Sequence, residues 1–342
     1  MTLLSFILII IILIILGYFI KKWSNGPLNP IKADLTGKLI IVTGSSDGIG
    51  VETAKDLLNS NAKVIYACRN KTKTEKVIND LPENLRKNAI FEQLDLASFK
   101  SIENFVKSIK SKYPKIDMLI NNAGIVTGSR KTEDGYIDIY QVNYLGNVLL
   151  TLLLLDHLNE KESRILMLVT SFYHYSKLTY GDSKILNNYD LMMDKISNYL
   201  MKEMFLYMDT KLLLIYFTQY LANYFEKKNQ NTKIVSLHPG MISTNILKME
   251  KMNILDYLRV NLINKPLAIL FIKDVIHGAQ TTLFLAHSDY KDLVNGGYYK
   301  DLKFENYAPI AKDAKLRNEM VNETLNILKS KYKELEYLPL SE

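Results

Sequence analysis

Between residues 173 and 211 of this 342-residue sequence, three stretches place a tyrosine four positions before a lysine, and they begin at Tyr173, Tyr180 and Tyr207. An ordinary tyrosine has a pKa near 10, and a lysine ammonium close by favours the phenolate and lowers that pKa. On a helix this spacing brings both side chains to one face, one turn apart. The pattern therefore indicates acid–base chemistry wherever it lies on a helix.

Only the third stretch is predicted to lie on a helix. Tyr173 comes too soon after a predicted strand, and Tyr180 is followed by a glycine and by a turn-like Asn-Asn-Tyr-Asp sequence. Tyr207 opens 19 residues without glycine or proline, and Lys211 lies 28 residues before the proline that ends the next predicted strand. That length suits one helix, a turn and a strand, so this pair is the candidate for the chemistry.

Six apolar, β-branched runs alternate with helical patterns between residues 38 and 240. Such runs are typical of buried parallel strands, and their alternation with helices predicts a sheet covered on both faces. The predicted strands span residues 38–44, 62–70, 89–98, 115–124, 163–171 and 232–240. The fold class is therefore α/β, with a doubly wound, Rossmann-type parallel sheet in a single domain. Ligands of such sheets bind at the carboxyl ends of the strands.

A glycine-rich turn at residues 43–50 joins the first predicted strand to the first helix. Gly44, Gly48 and Gly50 allow a tight turn and the close approach of a pyrophosphate to the helix N-terminus. Many strand-to-helix turns are glycine-rich for steric reasons alone, and the spacing here is G-x-x-x-G-x-G rather than G-x-G-x-x-G. The turn by itself is weak evidence for a dinucleotide.

The pattern T-G-x-x-x-G-[IL]-G in this turn resembles the short-chain dehydrogenase/reductase superfamily. Two further signatures of that family follow in order, Asn-Asn-Ala-Gly at 121–124 and His-Pro-Gly at 238–240. The resemblance runs from about Leu35 to Leu328. The stretches ACRN, VNYLGNVLL, HPGMISTNI and HGAQTTLFLA are most similar to the retinol dehydrogenase-like, membrane-anchored branch.

This resemblance implies an oxidoreductase with four catalytic residues, Asn143, Ser171, Tyr207 and Lys211. Tyr207 would exchange the proton at the carbonyl oxygen, while Lys211 would lower its pKa and bind the cofactor ribose. Ser171 would polarise the same oxygen, with an ordinary strand-ending serine as the alternative. Asn143 would hold a water in a proton relay through Lys211. Asparagine is intrinsically unfavourable inside a helix, which favours a functional role.

The cofactor implied by the resemblance is a nicotinamide dinucleotide, with NADP(H) favoured over NAD(H). The second strand ends in Cys-Arg-Asn without a carboxylate for ribose hydroxyls, and Arg69 can pair with a 2′-phosphate. A plain surface arginine is the alternative. No metal site is expected. The positions expected to bind the cofactor are Gly44, Ser45, Ser46, Gly48, Ile49, Gly50, Arg69, Asn70, Asp95, Leu96, Asn121, Ala123, Gly124, Tyr207, Lys211, Pro239, Gly240 and Thr244.

The first residues predict a membrane anchor, because residues 3–20 are apolar without a charge and long enough to span a hydrocarbon core. A cleaved signal peptide is the alternative, but no small-residue cleavage site follows. Lys21, Lys22 and Lys32 predict that the body faces the cytosol, with the endoplasmic reticulum as the default membrane. The expected organisation is an anchor at 1–22, a linker at 23–34, a catalytic domain at 35–330 and a tail at 331–342.

Two segments are expected to shape the substrate site. Residues 176–205 lengthen the interval between Ser171 and Tyr207, and they form either a flap over an apolar substrate or a surface insertion with its own packing face. Residues 247–273 are apolar and amphipathic, which suits a lipid-like tunnel, contact with a membrane surface, or plain core.

The composition limits the kinds of binding partner and of covalent cross-link that are expected. The formal charge of +7 suits an acidic membrane surface or a phosphate-bearing ligand, or simply reflects solvated lysines. One cysteine, Cys68, excludes an internal disulfide framework, and no basic-aromatic patch suggests nucleic acid. A homodimer is expected from the fold.

The favoured hypothesis is an NADP-dependent enzyme that reduces an apolar carbonyl, such as a retinoid, a fatty aldehyde or a steroid. The alternatives are an NAD-linked alcohol or steroid dehydrogenase and a catalytically silent membrane scaffold.

Overall fold

Eight strands form one sheet in the order β3-β2-β1-β4-β5-β6-β7-β8, in a computed structural model that describes residues 3–197, 202–242 and 270–340. Neighbouring strands from β3 to β7 run parallel, and β8 runs antiparallel to β7. The strands are β1 (Leu39–Thr43), β2 (Lys63–Cys68), β3 (Ala89–Gln93), β4 (Met118–Asn121), β5 (Ser163–Leu168), β6 (Thr232–His238), β7 (Tyr298–Lys300) and β8 (Lys303–Glu305). The predicted α/β fold with a Rossmann-type parallel sheet is confirmed.

Helices cover both faces of this sheet. They are α1 (Leu3–Asn25), α2 (Gly48–Asn59), α3 (Lys71–Asn79), α4 (Glu83–Arg86), α5 (Phe99–Lys112), α6 (Asp138–Tyr140), α7 (Gly146–Leu154), α8 (Tyr189–Ser197), α9 (Lys202–Lys227), α10 (Val275–His287) and α11 (Ala314–Lys329). A π-helical turn, Gln141–Leu145, joins α6 to α7. Single π-helical turns inside helices occur frequently at functional sites.

The side chains of the central strands alternate between two cores. Ile41 of β1 packs in one core with Leu119 of β4, whereas its neighbours Ile40 and Val42 pack in the other. All four side chains are fully buried. A strand that is buried on both faces cannot show a polar–apolar alternation, which explains the continuous apolar run in the sequence.

Within the described part of the chain, one helical stretch is long and apolar enough to cross a membrane, Asp138–His157. Of its most apolar window, 89% lies buried inside the protein, so this stretch is a core helix. The N-terminal helix α1 has a different character, because most of its apolar side chains whose burial is described, Ile14 and Phe19 among them, are exposed.

The segment between Ser171 and Tyr207 packs onto the domain rather than projecting from it. It contains a 3₁₀ turn, Asp182–Ile185, and helix α8. Four of its apolar side chains are buried in the core that also holds helix α9, and these are Leu178, Leu186, Met192 and Ile196.

Two features at the C-terminal side were not predicted from the sequence. Strands β7 and β8 extend the sheet beyond β6. Residues 331–340, which lie in the expected tail, pack against the body: Leu335 and Leu338 are buried, and the Tyr220 hydroxyl donates to the Pro339 carbonyl at 2.7 Å. The packed part of the chain therefore continues past residue 330.

Candidate active site

The turn between β1 and α2 is shaped by its glycines. Gly44 and Gly48 adopt positive φ angles of 66° and 53°, which L side chains rarely take. A Cβ on Gly50 would lie 2.5 Å from the Gly44 carbonyl oxygen, so a side chain is excluded there. The carboxylate of Asp47 accepts from the Gly48 amide and caps helix α2. The turn thus leaves bare backbone at the start of the helix.

Two side chains connect the end of β4 to this turn. The Asn122 Nδ2 donates to the Thr43 carbonyl at 2.8 Å, and the Thr43 hydroxyl accepts from the Ala123 amide at 2.9 Å. Asn121, expected at the cofactor, instead turns its side chain inward and donates to the Thr151 hydroxyl at 3.1 Å. Neither Asn122 nor Thr43 was among the expected site residues, although both belong to motifs visible in the sequence.

Asn143 lies in the π-helical turn and holds the loop that follows β4. Its Oδ1 accepts from the Ile125 amide and its Nδ2 donates to the Ile125 carbonyl, both at 2.7 Å. The Nδ2 also lies 3.3 Å from the Thr210 hydroxyl oxygen on helix α9. A Cβ built on Gly124 would lie 3.2 Å from Asn143 Oδ1 and 3.4 Å from Lys211 Nζ. Gly124, Asn143 and Lys211 therefore converge at one point.

Lys211 is buried on helix α9 and points at the end of β5. Its Nζ donates to the Leu168 carbonyl at 2.8 Å, and only 4% of the side chain is exposed. Burial lowers the pKa of Lys211 to about 8, because removing the ammonium from water disfavours the charged form. The side chain still carries its charge through most of the neutral range.

Tyr207 lies on the same face of α9, one turn before Lys211. The Lys211 Nζ is 5.7 Å from the centre of the Tyr207 ring. Burial raises the pKa of Tyr207 to about 12, and a hydrogen bond with the Thr170 side chain acts in the opposite direction. With this pKa the phenol is protonated at neutral pH, which suits a proton donor. Thr170 was not expected at the site.

Ser171 begins the turn after β5 and contacts a histidine. Its Oγ lies 3.1 Å from Nε2 of His238, the last residue of β6. The two strand ends are neighbours, since Leu168 pairs with Leu237 in the parallel register. Of the other two tyrosines considered for this role, Tyr180 is exposed. Tyr173 lies in the same 3₁₀ turn as Ser171, where its buried hydroxyl accepts from the Ala308 amide at 2.8 Å.

The remaining expected residues line the same edge of the sheet. Arg69 and Asn70 follow β2 and are exposed, and the Asn70 side chain caps helix α3. Asp95 and Leu96 follow β3, where the Leu96 carbonyl oxygen would lie 2.5 Å from a Cβ on Gly146.

The other expected positions lie in the turn after β1 or just after β6. Ser45 is buried and donates to the Val42 carbonyl at 3.0 Å, whereas Ser46 and Ile49 are half-buried. Pro239 and Gly240 follow β6, and Gly240 has a φ of 97°. Thr244 and most of the 247–273 segment lie outside the described residues.

These features fit a dinucleotide at the carboxyl edge of the sheet. The turn exposes backbone where a phosphate would bind a helix N-terminus, and no side chain is tolerated at Gly50. The parts of the chain that the structure covers hold no cluster of His, Cys, Asp and Glu able to bind a metal ion.

Known proteins resemble this chain over most of its length. The family described as short chain dehydrogenase matches residues 38–181. Human retinol dehydrogenase 14 is 33% identical over 304 residues, covering 83% of this chain and 84% of that protein. Human polyprenol dehydrogenase is 30% identical over 314 residues, covering 90% of each protein. A Shigella flexneri short chain dehydrogenase complexed with NADP has a TM-score of 0.56 at 20% identity, covering 80% of this chain and all of that one.

The chain therefore belongs to the short-chain dehydrogenase/reductase superfamily, in its retinol dehydrogenase-like branch. It is an oxidoreductase that acts on CH–OH groups, and its fold binds a nicotinamide cofactor.

Proposed function

We propose that this enzyme reduces the carbonyl group of an apolar substrate with NADPH. The observation that carries the proposal is the convergence of Tyr207, Lys211 and Asn143 with Ser171 at the carboxyl ends of β4 and β5. Tyr207 and Lys211 lie on helix α9, Asn143 lies in the π-helical turn, and Ser171 lies in the turn after β5. This arrangement supports proton transfer at a carbonyl oxygen as the proposed chemistry.

The glycine turn, Asn122 and Ala123 would hold the dinucleotide, and Lys211 would contact its ribose. The cofactor, when bound, supplies the hydride. Asn121 would contribute through its position at the end of β4 rather than through a direct side-chain contact. Pro239 and Gly240 are likewise proposed to contribute to cofactor binding through their position after β6.

Tyr207 is the proposed proton donor. Burial raises its pKa to about 12, so the hydroxyl is protonated at neutral pH and can donate to the carbonyl oxygen as negative charge develops there. The Lys211 ammonium lies near the ring and would favour the phenolate after the proton has left. Ser171 would donate a hydrogen bond to the same oxygen. Asn143 would hold the loop and a water that resupplies the proton.

NADPH is the proposed cofactor because Arg69 follows β2, at the strand end where a carboxylate would favour NAD. Arg69 is exposed, so its guanidinium can reach a phosphate on the ribose. The NADP complex of a related fold supports the choice.

An apolar substrate and a membrane anchor are proposed together. Helix α1 has 23 residues and a length of about 35 Å, enough to cross a hydrocarbon core of about 30 Å. Its exposed apolar side chains would be costly in water. Retinol and polyprenol, named in two relatives, are both long apolar alcohols.

The anchor is proposed to join the body directly. Lys21 Nζ donates to the Ile272 carbonyl, Asn25 Nδ2 donates to an Asp274 carboxylate oxygen at 3.3 Å, and the Asn29 amide donates to Gln280 at 2.8 Å. The proposed topology is a single span in the endoplasmic reticulum membrane, with residues from 35 onward in the cytosol. The homodimer stays a prediction, which light scattering of the detergent-solubilised protein would test.

The test is NADPH oxidation by the detergent-solubilised, full-length protein with all-trans-retinal, medium- and long-chain aldehydes, polyprenals and ketosteroids. We expect turnover of one class and weak turnover with NADH. Faster turnover with NADH, or alcohol oxidation with NAD alone, would favour the NAD-linked dehydrogenase. Tight NADPH binding without turnover of any class would favour the scaffold.

A further inference from the structure

His238 is a buried side chain that touches the proposed catalytic serine and has no part in the mechanism above. It ends strand β6, and only 5% of the residue is exposed. Its Nε2 lies 3.1 Å from Ser171 Oγ. Leu168 of β5 pairs with Leu237 of β6 in the parallel register, so the turn that follows β5 and begins at Ser171 lies beside the end of β6.

The imidazole ring of His238 is neutral under cytosolic conditions. Burial lowers its pKa to about 4, and the charges of Lys300 and Lys273 act in the same direction. The Asp301 carboxylate and a hydrogen bond from the ring to the Val169 backbone act in the opposite direction without reversing the shift. A neutral ring carries one proton, which lies on either Nδ1 or Nε2.

The surroundings of the two ring nitrogens differ. Nδ1 of His238 is buried and has no hydrogen-bond partner among the described residues. A proton on Nδ1 would leave a buried N–H unpaired and would make the Ser171 hydroxyl donate its only proton to Nε2. A proton on Nε2 avoids both consequences. The ring then donates to Ser171 Oγ, and the serine keeps its own O–H for another acceptor.

We propose that His238 is a positioning residue that donates from Nε2 to Ser171 Oγ and so directs the serine hydroxyl at the substrate carbonyl oxygen. This inference rests on the proposed function, since it assumes that Ser171 binds that oxygen. Hydrogen bonds in a chain polarise one another, so the histidine also makes the serine a stronger donor.

A double-mutant cycle tests whether His238 acts through the serine. We expect His238→Leu to lower kcat about ten- to a hundredfold, as misdirection of a catalytic group does, with the Kd for NADPH unchanged. Added to Ser171→Ala, the same substitution is expected to cause no further loss. His238→Gln keeps an N–H donor and is expected to recover part of the activity. If the fold-loss of kcat in the double variant equals the product of the two single losses, the proposal is overturned.

The matched control is His174→Leu, because His174 is exposed in the turn that contains Ser171. We expect this variant to retain wild-type kcat.

Nitrogen-15 NMR of histidine-labelled, full-length protein gives a readout that needs no turnover. We expect His238 to carry its proton on Nε2, and Ser171→Ala to shift the His238 signals while leaving those of His174 in place. A proton on Nδ1, or His238 signals that do not respond to Ser171→Ala, would overturn the proposal even in an active enzyme. If the spectra are as expected but the protein reduces no tested carbonyl, the result counts against the proposed function alone.

Discussion

The Asn143 side chain brackets the backbone of Ile125, accepting from its amide at Oδ1 and donating to its carbonyl from Nδ2, both at 2.7 Å. A single side chain thereby fixes the loop after β4, next to the Lys211 ammonium. This arrangement requires the Asn143 side chain to face the loop. Asn143 lies in the π-helical turn Gln141–Leu145, whose backbone directs the side chain there.

Asn143→Ala is expected to lower both stability and activity. It leaves the Ile125 amide and carbonyl without these partners, which costs about 1–3 kcal/mol for each group that stays buried. Urea unfolding would measure the loss of stability, and steady-state kinetics the loss of kcat. Asn143→Asp keeps an acceptor for the Ile125 amide and is expected to lose less stability. An alanine variant with wild-type stability and kcat would contradict the role given to this contact.

Lys211→Met is expected to remove activity without removing stability. Burial lowers the lysine pKa from 10.5 to about 8, so the unfolded chain holds this proton more tightly than the native protein does. The resulting penalty is about 3 kcal/mol below pH 8 and diminishes as the pH rises from 8 toward 10.5. Methionine keeps most of the aliphatic length and carries no charge.

For this variant we expect an unfolding free energy near pH 7 that is at least equal to that of the wild type, and a loss in kcat of about a hundredfold or more. Thermal unfolding and NADPH oxidation provide the two measurements. Lys184→Met, at an exposed lysine in the second Tyr-x-x-x-Lys stretch, is the control. If Lys211→Met lost stability and kept its kcat, the lysine would be structural.

Asp209 lies between Tyr207 and Lys211 and joins helix α9 to the segment between Ser171 and Tyr207. Its Oδ1 accepts from the Ser176 hydroxyl at 2.6 Å and from the Lys177 amide at 2.8 Å. Burial raises the pKa of Asp209 from 3.8 to about 6, so the native protein binds this proton more tightly than the unfolded chain. The contribution of Asp209 to stability therefore increases as the pH falls from about 6 toward 4.

Asp209→Asn keeps the accepting oxygen and removes the charge. We expect it to raise the unfolding free energy at pH 7–8 by up to about 3 kcal/mol and to match the wild type near pH 4. Urea unfolding across this pH range is the measurement, with the exposed Asp190→Asn as control. Parallel pH profiles for the wild type and Asp209→Asn would show that folding does not raise the pKa of this carboxyl group.

Arg69→Ala tests the cofactor preference. Loss of a charge-assisted contact to the 2′-phosphate is expected to raise the KM for NADPH about ten- to a hundredfold while leaving the KM for NADH unchanged. Lys63→Ala, at the opposite end of β2, is the control. Equal use of both cofactors by the wild type, or an Arg69→Ala variant with unaltered KM values, would contradict the assignment.

The sequence predicts those elements whose structure is determined by residues that are close together in the chain. The runs that form β1 to β6, the glycine turn at 43–50 and the helix that carries Tyr207 and Lys211 are all local patterns. Strands β7 and β8 have three residues each, too few to show a periodic pattern.

Contacts between distant residues were not predictable in the same way. Ser171 meets His238 across 67 positions, and Asn122 reaches Thr43 across 79. Nothing in the local sequence states which partner a polar side chain will find once the strands pair. The His-Pro-Gly motif marked the turn after β6, but the role of its histidine depends on the register between β5 and β6.

The most direct test of the central claim compares Tyr207→Phe with Tyr180→Phe in NADPH-dependent carbonyl reduction by the full-length protein. We predict that Tyr207→Phe lowers kcat about a thousandfold, as loss of a general acid does, and leaves NADPH affinity unchanged. Tyr180→Phe, at an exposed tyrosine with the same spacing to a lysine, should match the wild type. Wild-type kcat in Tyr207→Phe, or a comparable loss in Tyr180→Phe, would contradict the account.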